Sequence, residues 1–583
     1  MTLAWLTWPR TVALAVALAT LAAIPMLTAP WDEDEVFLVG AVSGTSPWMN
    51  SRFDAYRFSS GEPSAVAALI AKGSMPWYTA PDFKYALYRP LTSALLWLDS
   101  IAFGNTRLGY QLDALLMHAL LVVAAGLLLR RVMSGNVGKG ALLLFATSVV
   151  HTTATGWLTA RHVLVAAVPA LFGLVAHLRW REDRRRSGLP LAMALFAIAL
   201  FASESGTQML AYVVAYELCR RDEPMTARAK AIAPYVALVA SYALVYKMLG
   251  RGHDYGTAFS GVRAFFTGGL PRIALHASVL LGVSVRPDNP WGFYALRWTI
   301  VAALPAIVLA APAIRRLDER EGRRGAAWLT LGAMGALVPV MGAPLESRVL
   351  VPSSLGAAAL IAAVLAAGIR SARGTRHVMR FVFIGGAALL AIVHVVIVPL
   401  ELPQHYLAMV HGRERRLGTF LRAGRGDLAD TDVLVVGAPH FLFGQLGGYL
   451  RERVTGQRAR HWVAIADANC AHRLWRASAE RVVIEPMCRE GFFPYGMLEV
   501  GDGGRQLDWT VRVVERHPHA RIEVAFDRPI EETAARFVTF DGFADRVVTL
   551  PAVGEEIQLP EPASWDANGV DGPSRWMHVT FGQ

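Results

Sequence analysis

Charge is what this sequence has least of. Only 18% of its 583 residues are Asp, Glu, Lys or Arg, against about a quarter in an ordinary soluble chain. With 54% hydrophobic residues and a mean hydropathy of +0.36, a water-soluble globular class is excluded and a multi-span membrane protein is expected. Cysteine is nearly absent too: three residues, with no Cys-x-x-Cys pair and no Cys/His cluster, so a structural zinc site is not expected. No repeat of about 20–50 residues is visible, which argues against a solenoid. The net charge of +11 does not point to nucleic acid, because Arg and Lys are confined to short stretches between apolar runs, where they set membrane topology.

Apolar runs read as spans at about 12–29, 109–129, 140–152, 162–178, 189–203, 205–218, 229–249, 299–314, 326–343, 349–369 and 378–399. Several are short for a bilayer core that needs ~20 residues. The first, preceded by Arg10, competes with a cleaved signal peptide, but its A-x-A cleavage site is poorly formed. The loops after the second, fourth, sixth, eighth and tenth runs are "LRRVMSGNVGK", "RWREDRRR", "RRDEPMTARAK", "RRLDEREGRR" and "RSARGTRHVMR". Arg-rich loops at every second connection put these loops and the N-terminus in the cytoplasm of an inner (plasma) membrane protein. With about eleven spans, everything beyond residue 399 then lies on the periplasmic or extracellular side.

The intervening loops differ in kind. The first, 31–108, contains the amphipathic piece "YRPLTSALLWLDSIAFG", expected along the membrane surface. The loop of about 250–298 is rich in turn residues and aromatics, and Asp254 in "GHDYG" reads as turn chemistry. Beyond Pro399, "DVLVVGA", "HWVAIAD" and "RVVIEPM" suggest a small α/β unit; from 507 onward "LDWTVRVVER", "ARIEVAFD", "RFVTFDG", "RVVTLPA" and "RWMHVTFG" alternate like strands of a β-sandwich. The expected organisation is therefore a mainly α membrane domain, 1–399, and an outer domain, 400–583. Cys470 and Cys488 both fall in the outer part; a disulfide and two separate thiols are equally consistent with their spacing.

The chemistry concentrates where the first span ends, in "WDEDEVF". Acids at that depth are functional candidates by default, set against the simpler reading of a wet loop. Arg89, Arg161, His162 and Arg348 stand at the outward ends of other spans. A carboxylate within hydrogen-bond reach of a hydroxyl serves as a general base, and guanidinium forks suit phosphate oxygens. Together they are the minimum set for moving a sugar from a phosphate to a hydroxyl. His118 and His151 read as packing residues rather than ligands.

The motifs add a resemblance. "YRPLTSALLWLDSIAFGNTRLGYQLDALLMHALL" resembles the [FY]-R-P-L stretch of GT-C glycosyltransferases, and "SVVHTTATGWLTARH" resembles their H-P-x-H-x-x-x-x-x-W-x-x-x-R segment. "ALFASESGTQ" resembles their L-x-x-x-S-K-E segment, with Glu204 at the acid and Ser203 in place of the lysine. The branch that fits is the tetratricopeptide-containing transmembrane O-mannosyltransferases and their bacterial relatives, over about residues 1–370. The resemblance implies a GT-C-like helical domain, a polyprenyl-phosphate-linked sugar donor and a catalytic Asp in an acidic pair after the first span. By register to "VFLVGAVSG" that pair is Asp34 and Glu35, with Asp32 and Glu33 in reserve. Arg89, Arg161, His162, Glu204 and Arg348 become candidates for substrate binding. The chain departs from the branch in lacking the first His-Pro and the repeats, so the acceptor (protein, lipid or glycan) does not carry over. The cofactor is left open: the loop acids could also hold a divalent cation. A transporter or flippase for a lipid-linked or anionic substrate is the competing class, although the charged set lies at outward ends and no paired halves are detectable.

Overall fold

The computed structural model describes residues 6–133, 135–253, 269–282, 292–321, 325–342, 346–371, 378–423, 428–439, 441–466, 470–487, 503–515 and 521–562. Asp254, Cys488 and the expected strand "RWMHVTFG" lie outside them.

Helices dominate the first part. Each apolar run of the sequence lies on a helix: α1 (Trp8–Ala22), α5 (Arg107–Val132), α6 (Gly135–Ala146), α8 (His162–Arg181), α9 (Gly188–Ala202), α10 (Met209–Cys219), α11 (Met225–Met248), α13 (Gly292–Glu321), α14 (Gly325–Ala336), α15 (Val351–Ser371) and α16 (Val378–Ala391). Between them come α2 (Glu33–Ser43), α3 (Pro63–Ala71), α4 (Pro90–Phe103), α7 (Thr152–Gly156) and α12 (Leu270–Leu281). Among the described residues, five helical stretches are long and apolar enough to cross a membrane by length and composition: Arg107–Val132, Leu158–Arg181, Met225–Met248, Ser347–Ser371 and Arg380–Leu421. Small residues let them approach closely. A Cβ on Gly356 would stand 2.1 Å from the Leu329 carbonyl oxygen, so α14 and α15 meet backbone to backbone, as membrane helices do at small-residue faces.

The two ends of this bundle are chemically unlike. At one, Arg131 donates to Glu182 at 2.8 Å and to Asp183 at 2.9 Å, and Arg181 donates to Glu217 at 2.7 Å. These contacts gather the Arg-rich loops after α5, α8 and α10. At the other end the helices break into short 3-10 turns at Val149–His151, Leu158–Ala160, Glu204–Gln208, Pro339–Gly342 and Ser347–Leu350. Broken turns leave backbone groups without helical partners, which is tolerable at membrane depth only where they meet protein or line a wet cavity.

The chain leaves the bundle through α17 (Val398–Ala423), a helix that runs across the domain boundary expected at 399/400. Two sheets follow. The mixed sheet has the order β12 (Ala544–Val547), β11 (Ala535–Asp541), β4 (Asp432–Val436), β5 (His461–Ala466); β4 runs parallel to both neighbours, and α18 (Phe441–Thr455) connects β4 to β5. The antiparallel sheet has the order β13 (Glu556–Leu559), β6 (His472–Arg476), β7 (Arg481–Pro486), β10 (Arg521–Phe526), β9 (Trp509–Glu515), β8 (Gly503–Gln506). The period of two explains the layering. Leu434, Val436, Val463 and Ile465 face the antiparallel sheet through Leu474, Ile484, Trp509 and Ile522. Val433, Val435 and Trp462 face the other way, into a core shared with α17 and α2.

The C-terminal part is β-rich, as expected, but its two stretches interleave. "RFVTFDG" (β11) inserts beside β4 in the mixed sheet, and "RVVIEPM" (β7) joins the antiparallel one. Alternation tells which face a residue takes, not which strand it pairs with. Cys470 is in a disulfide. The first outer loop is part of this architecture: β1 (Arg57–Ser60), β2 (Lys84–Ala86) and β3 (Gly252–His253) form a small sheet. Trp77 of that loop donates its indole N–H to the Ile465 carbonyl at 3.1 Å.

Candidate active site

The four acids form the N-terminus of α2. Asp32 is the N-cap, and its backbone N–H donates to Glu35 Oε2 at 3.2 Å, half of a capping box. Carboxylates suit a helix start, where the unsatisfied N–H groups carry partial positive charge. Beyond that shared benefit the four neighbourhoods differ.

Glu35 is fully buried and saturated. Arg107 Nε donates to it at 2.9 Å, Arg413 at 2.9 and 3.0 Å, and the Leu158 N–H at 2.9 Å. Burial alone would raise its pKa, but Arg107 and Arg413 outweigh burial and hold the carboxyl down at about 2. Asp32 takes Arg416 at 3.1 Å and lies 3.6 Å from Arg413 Nε. Glu33 takes Arg416 at 3.4 Å through one oxygen; its other oxygen is buried with no hydrogen-bond partner among the described residues. Burial and the charge of Asp32 push Glu33 up to about 8.

Asp34 stands apart. Among the described residues its carboxylate has no hydrogen bond and no ion pair, and the residue keeps partial solvent access while its three neighbours are buried. Burial of the carboxyl, then the charge of Asp32, push it up to about 7 against the opposing charges of Arg348 and Arg416. It is the acid that combines a raised pKa with partial solvent access.

Around Asp34 the broken turns bring together residues far apart in sequence. The charges of Arg89, Arg348, Asp34 and Glu204 all act on the half-buried Tyr85 in β2, whose pKa desolvation raises. Those of Arg89, Arg161, Glu204 and Arg348 act on Tyr56. Arg89, the N-cap of α4, gives a two-point ion pair to Glu204, with Nε at 2.9 Å from Oε2, and stacks over the Tyr56 ring at 4.7 Å. Arg89 outweighs the burial that would otherwise raise Glu204 and lowers its pKa. His162 shares a 2.9 Å hydrogen bond with Ser203, the position where the motif departs from its lysine.

Arg161 is fully buried, with one amino group on Asp113 at 2.6 Å and the other on Asp99. It clamps α4, α5 and the start of α8, while its Nε is buried without a hydrogen-bond partner among the described residues. Arg348 is more open: it pairs with Glu346 and lies 4.9 Å over the Trp157 ring. The Trp157 indole nitrogen, Ser205 Oγ and Gln208 Oε1 are buried on these turns without partners among the described residues, a state native proteins usually relieve with water or ligand.

A divalent cation does not fit the acidic run as it stands, because three of the four carboxylates point at guanidiniums. No group of three or more His, Cys, Asp or Glu suited to a metal occurs among the described residues. His118 and His151 bond to each other at 3.2 Å, and His151 to Ser354 at 3.1 Å, inside the bundle. Sequence reasoning missed Arg107, which stands at a span end where a basic residue reads as a topology signal, and Arg413 and Arg416, which lie beyond the last expected span. The Arg-x-x-Arg spacing of 413 and 416, one helical turn on one face, was the available clue.

No family model matches the chain, and no curated protein does. Solved structures similar to it include two membrane enzymes. One is the Archaeoglobus fulgidus oligosaccharyltransferase tethered through a disulfide bond with an acceptor peptide containing the NVT sequon, at 13% identity and TM-score 0.37, over 78% of this chain and 64% of that one. The chain thus spans less than two thirds of that enzyme's length. The other is ArnT from Cupriavidus metallidurans bound to undecaprenyl phosphate, at 14% identity and TM-score 0.38, over 78% of this chain and 89% of that one.

Proposed function

We propose that this chain is a membrane glycosyltransferase of the GT-C type, which moves a sugar from a polyprenyl-phosphate donor to an acceptor hydroxyl at the outer face. The observation that carries the reading is the isolation of Asp34. It has no partner among the described residues, keeps solvent access and has a pKa of about 7, the properties of a general base near neutral pH.

Asp34 takes the proton of the acceptor hydroxyl as that oxygen attacks the anomeric carbon. The bond between that carbon and the phosphate oxygen breaks, and Arg348 receives the charge collecting on the departing phosphate. Glu35 does not touch substrate in this scheme; its negative charge helps raise Asp34. Arg89 and Glu204 pair with each other, with Arg89 stacked over Tyr56. A transporter would carry its charged groups near the middle of the bundle on broken helices, whereas these residues lie on turns at the end opposite the Arg-rich loops.

Turnover of labelled undecaprenyl-phosphate sugars by Asp34→Asn tests the reading. A loss of about 10²–10⁴-fold is expected, with donor binding retained. Undiminished transfer by Asp34→Asn would remove the base from the scheme.

A further inference from the structure

α17 carries four side chains on one stripe: Arg413, Arg416, Leu417 and Phe420, at the i, i+3, i+4, i+7 positions that share a helix face. Its first turns belong to the last apolar stretch and its final turns to the outer domain. The two arginines reach the start of α2, where Arg413 holds Glu35 and approaches Asp32, and Arg416 holds Asp32 and Glu33. The two apolar residues enter the core of the mixed sheet, beside Val433, Val435 and Phe540; Val36 and Phe37 of α2 lie in that same core. One helix face therefore grips the acidic run with its cations and the outer domain with its hydrocarbon.

The charges decide what the grip does. Asp32, Glu33, Asp34 and Glu35 bring four carboxyl groups; Arg107, Arg413 and Arg416 bring three guanidiniums, whose ion pairs among the four go to Asp32, Glu33 and Glu35 and not to Asp34. We infer that Arg413 and Arg416 are positioning residues through which the C-terminal domain holds Asp32, Glu33 and Glu35 in place and leaves the fourth acid, Asp34, free to meet a substrate, with Arg416 the nearer cation to it. The inference deepens the proposed function, since it says which element holds the acids around the base and sets a cation near it.

Asp34 is influenced by Asp32 and Glu35 on its own helix, Arg348 from the turn Ser347–Leu350 and Arg416 from α17, and its own charge acts on Tyr85 of β2. The other elements against α2 offer little. α4 carries Asp99, spent on Arg161, and begins at Arg89, spent on Glu204. α18 brings Tyr449 to the far end of α2, against Thr45.

The test is a titration that needs no substrate. In the full chain in lipid nanodiscs, the carboxylic acid C=O band that Asp34→Asn abolishes reports the protonation of Asp34, with a midpoint expected near 7. Arg416→Gln removes a stabilising positive charge and should raise the midpoint by about one pH unit, a tenfold change in proton affinity. Arg416→Lys should restore it. Glu33, pushed up to about 8, is already mostly protonated near neutral pH, so losing Arg416 does not leave a bare buried charge on it there. Should Arg416→Gln still fail to fold, Asp32→Asn gives the opposite sign: it removes a negative neighbour, so the midpoint should fall. An unmoved midpoint in the variants that fold overturns the inference and leaves the Asp34→Asn turnover test untouched. Lost turnover in Asp34→Asn with an unmoved midpoint keeps the base and discards the part given to Arg416.

Discussion

Asp32, Glu33, Asp34 and Glu35 are adjacent in sequence, yet their surroundings push them in opposite directions, and pH should separate them. As the proposed base, Asp34 would act only when deprotonated. With its pKa at about 7, turnover should climb tenfold per unit below 7 and level off above it. Asp34→Asn should abolish that limb. Its stability effect runs the other way from most acids. The folded-state pKa lies above the unfolded value of about 3.9, so the contribution is complete below about 4 and is lost as pH rises through 7. At pH 8 the wild type holds a confined negative charge that Asn does not. Asp34→Asn should therefore melt at the same or a higher temperature there, with the gap closing toward pH 4, as thermal unfolding would show. Glu35 has the conventional sign: held at about 2, below an unfolded value of about 4.3, it stabilises above about 4 and loses that contribution as pH falls through 2. Glu35→Gln weakens a buried pair shared by two arginines and should cost about 3–5 kcal/mol at pH 7. A less stable Asp34→Asn at pH 8, or a Glu35→Gln as stable as wild type at pH 7, would mean that the carboxylates have been assigned to the wrong environments.

At the scale of elements, α2 is held from two sides, by the arginines of α17 and by α18. Gly40 lies where Tyr449 of α18 presses on α2: a Cβ there would stand 1.5 Å from the Tyr449 hydroxyl. Gly40→Val should thus cost about 1–3 kcal/mol by overpacking, and Tyr449→Ala in the same chain should recover most of it, a coupling that a double-mutant cycle in thermal unfolding would measure. Such contacts mark the limit of what the sequence made legible. Helix positions were readable because long apolar runs leave few alternatives, and β9 and β10 because alternation with a period of two is a local signal. The acidic run stood out as a candidate because acids at the end of a span are rare. Its partners were not. Arg107, Arg413 and Arg416 approach it across separations of 72 residues and more, and no local pattern encodes a contact of that range. The same reason hides the pairing of Arg89 with Glu204, 115 residues apart: each was singled out alone, on its motif, without the other as its partner.

For the whole molecule, the opposite characters of its two ends carry the sidedness. The end joined by the Arg131, Glu182, Asp183, Arg181 and Glu217 contacts holds the Arg-rich loops, and basic loops are retained in the cytoplasm. The other end holds α2, the broken turns and, through α17, both sheets of the outer domain. The fold makes these placements depend on one another. Gln506 of β8 donates to the Ile70 carbonyl at 2.9 Å and Trp77 enters the core between the sheets, so the first outer loop and the C-terminal domain must lie on the same side. A donor whose lipid tail stays in the bilayer and an acceptor from the aqueous side would then meet at Asp34, at the membrane edge. Reporter fusions after residues 185, 320 and 420 test the arrangement, because the first two points follow Arg-rich stretches and the third lies in the last turns of α17. Cytoplasmic signals at 185 and 320 and an outer signal at 420 are expected. A cytoplasmic signal at 420 would put the acids and the outer domain together on the inner side, and the acceptor would have to be sought in the cytoplasm.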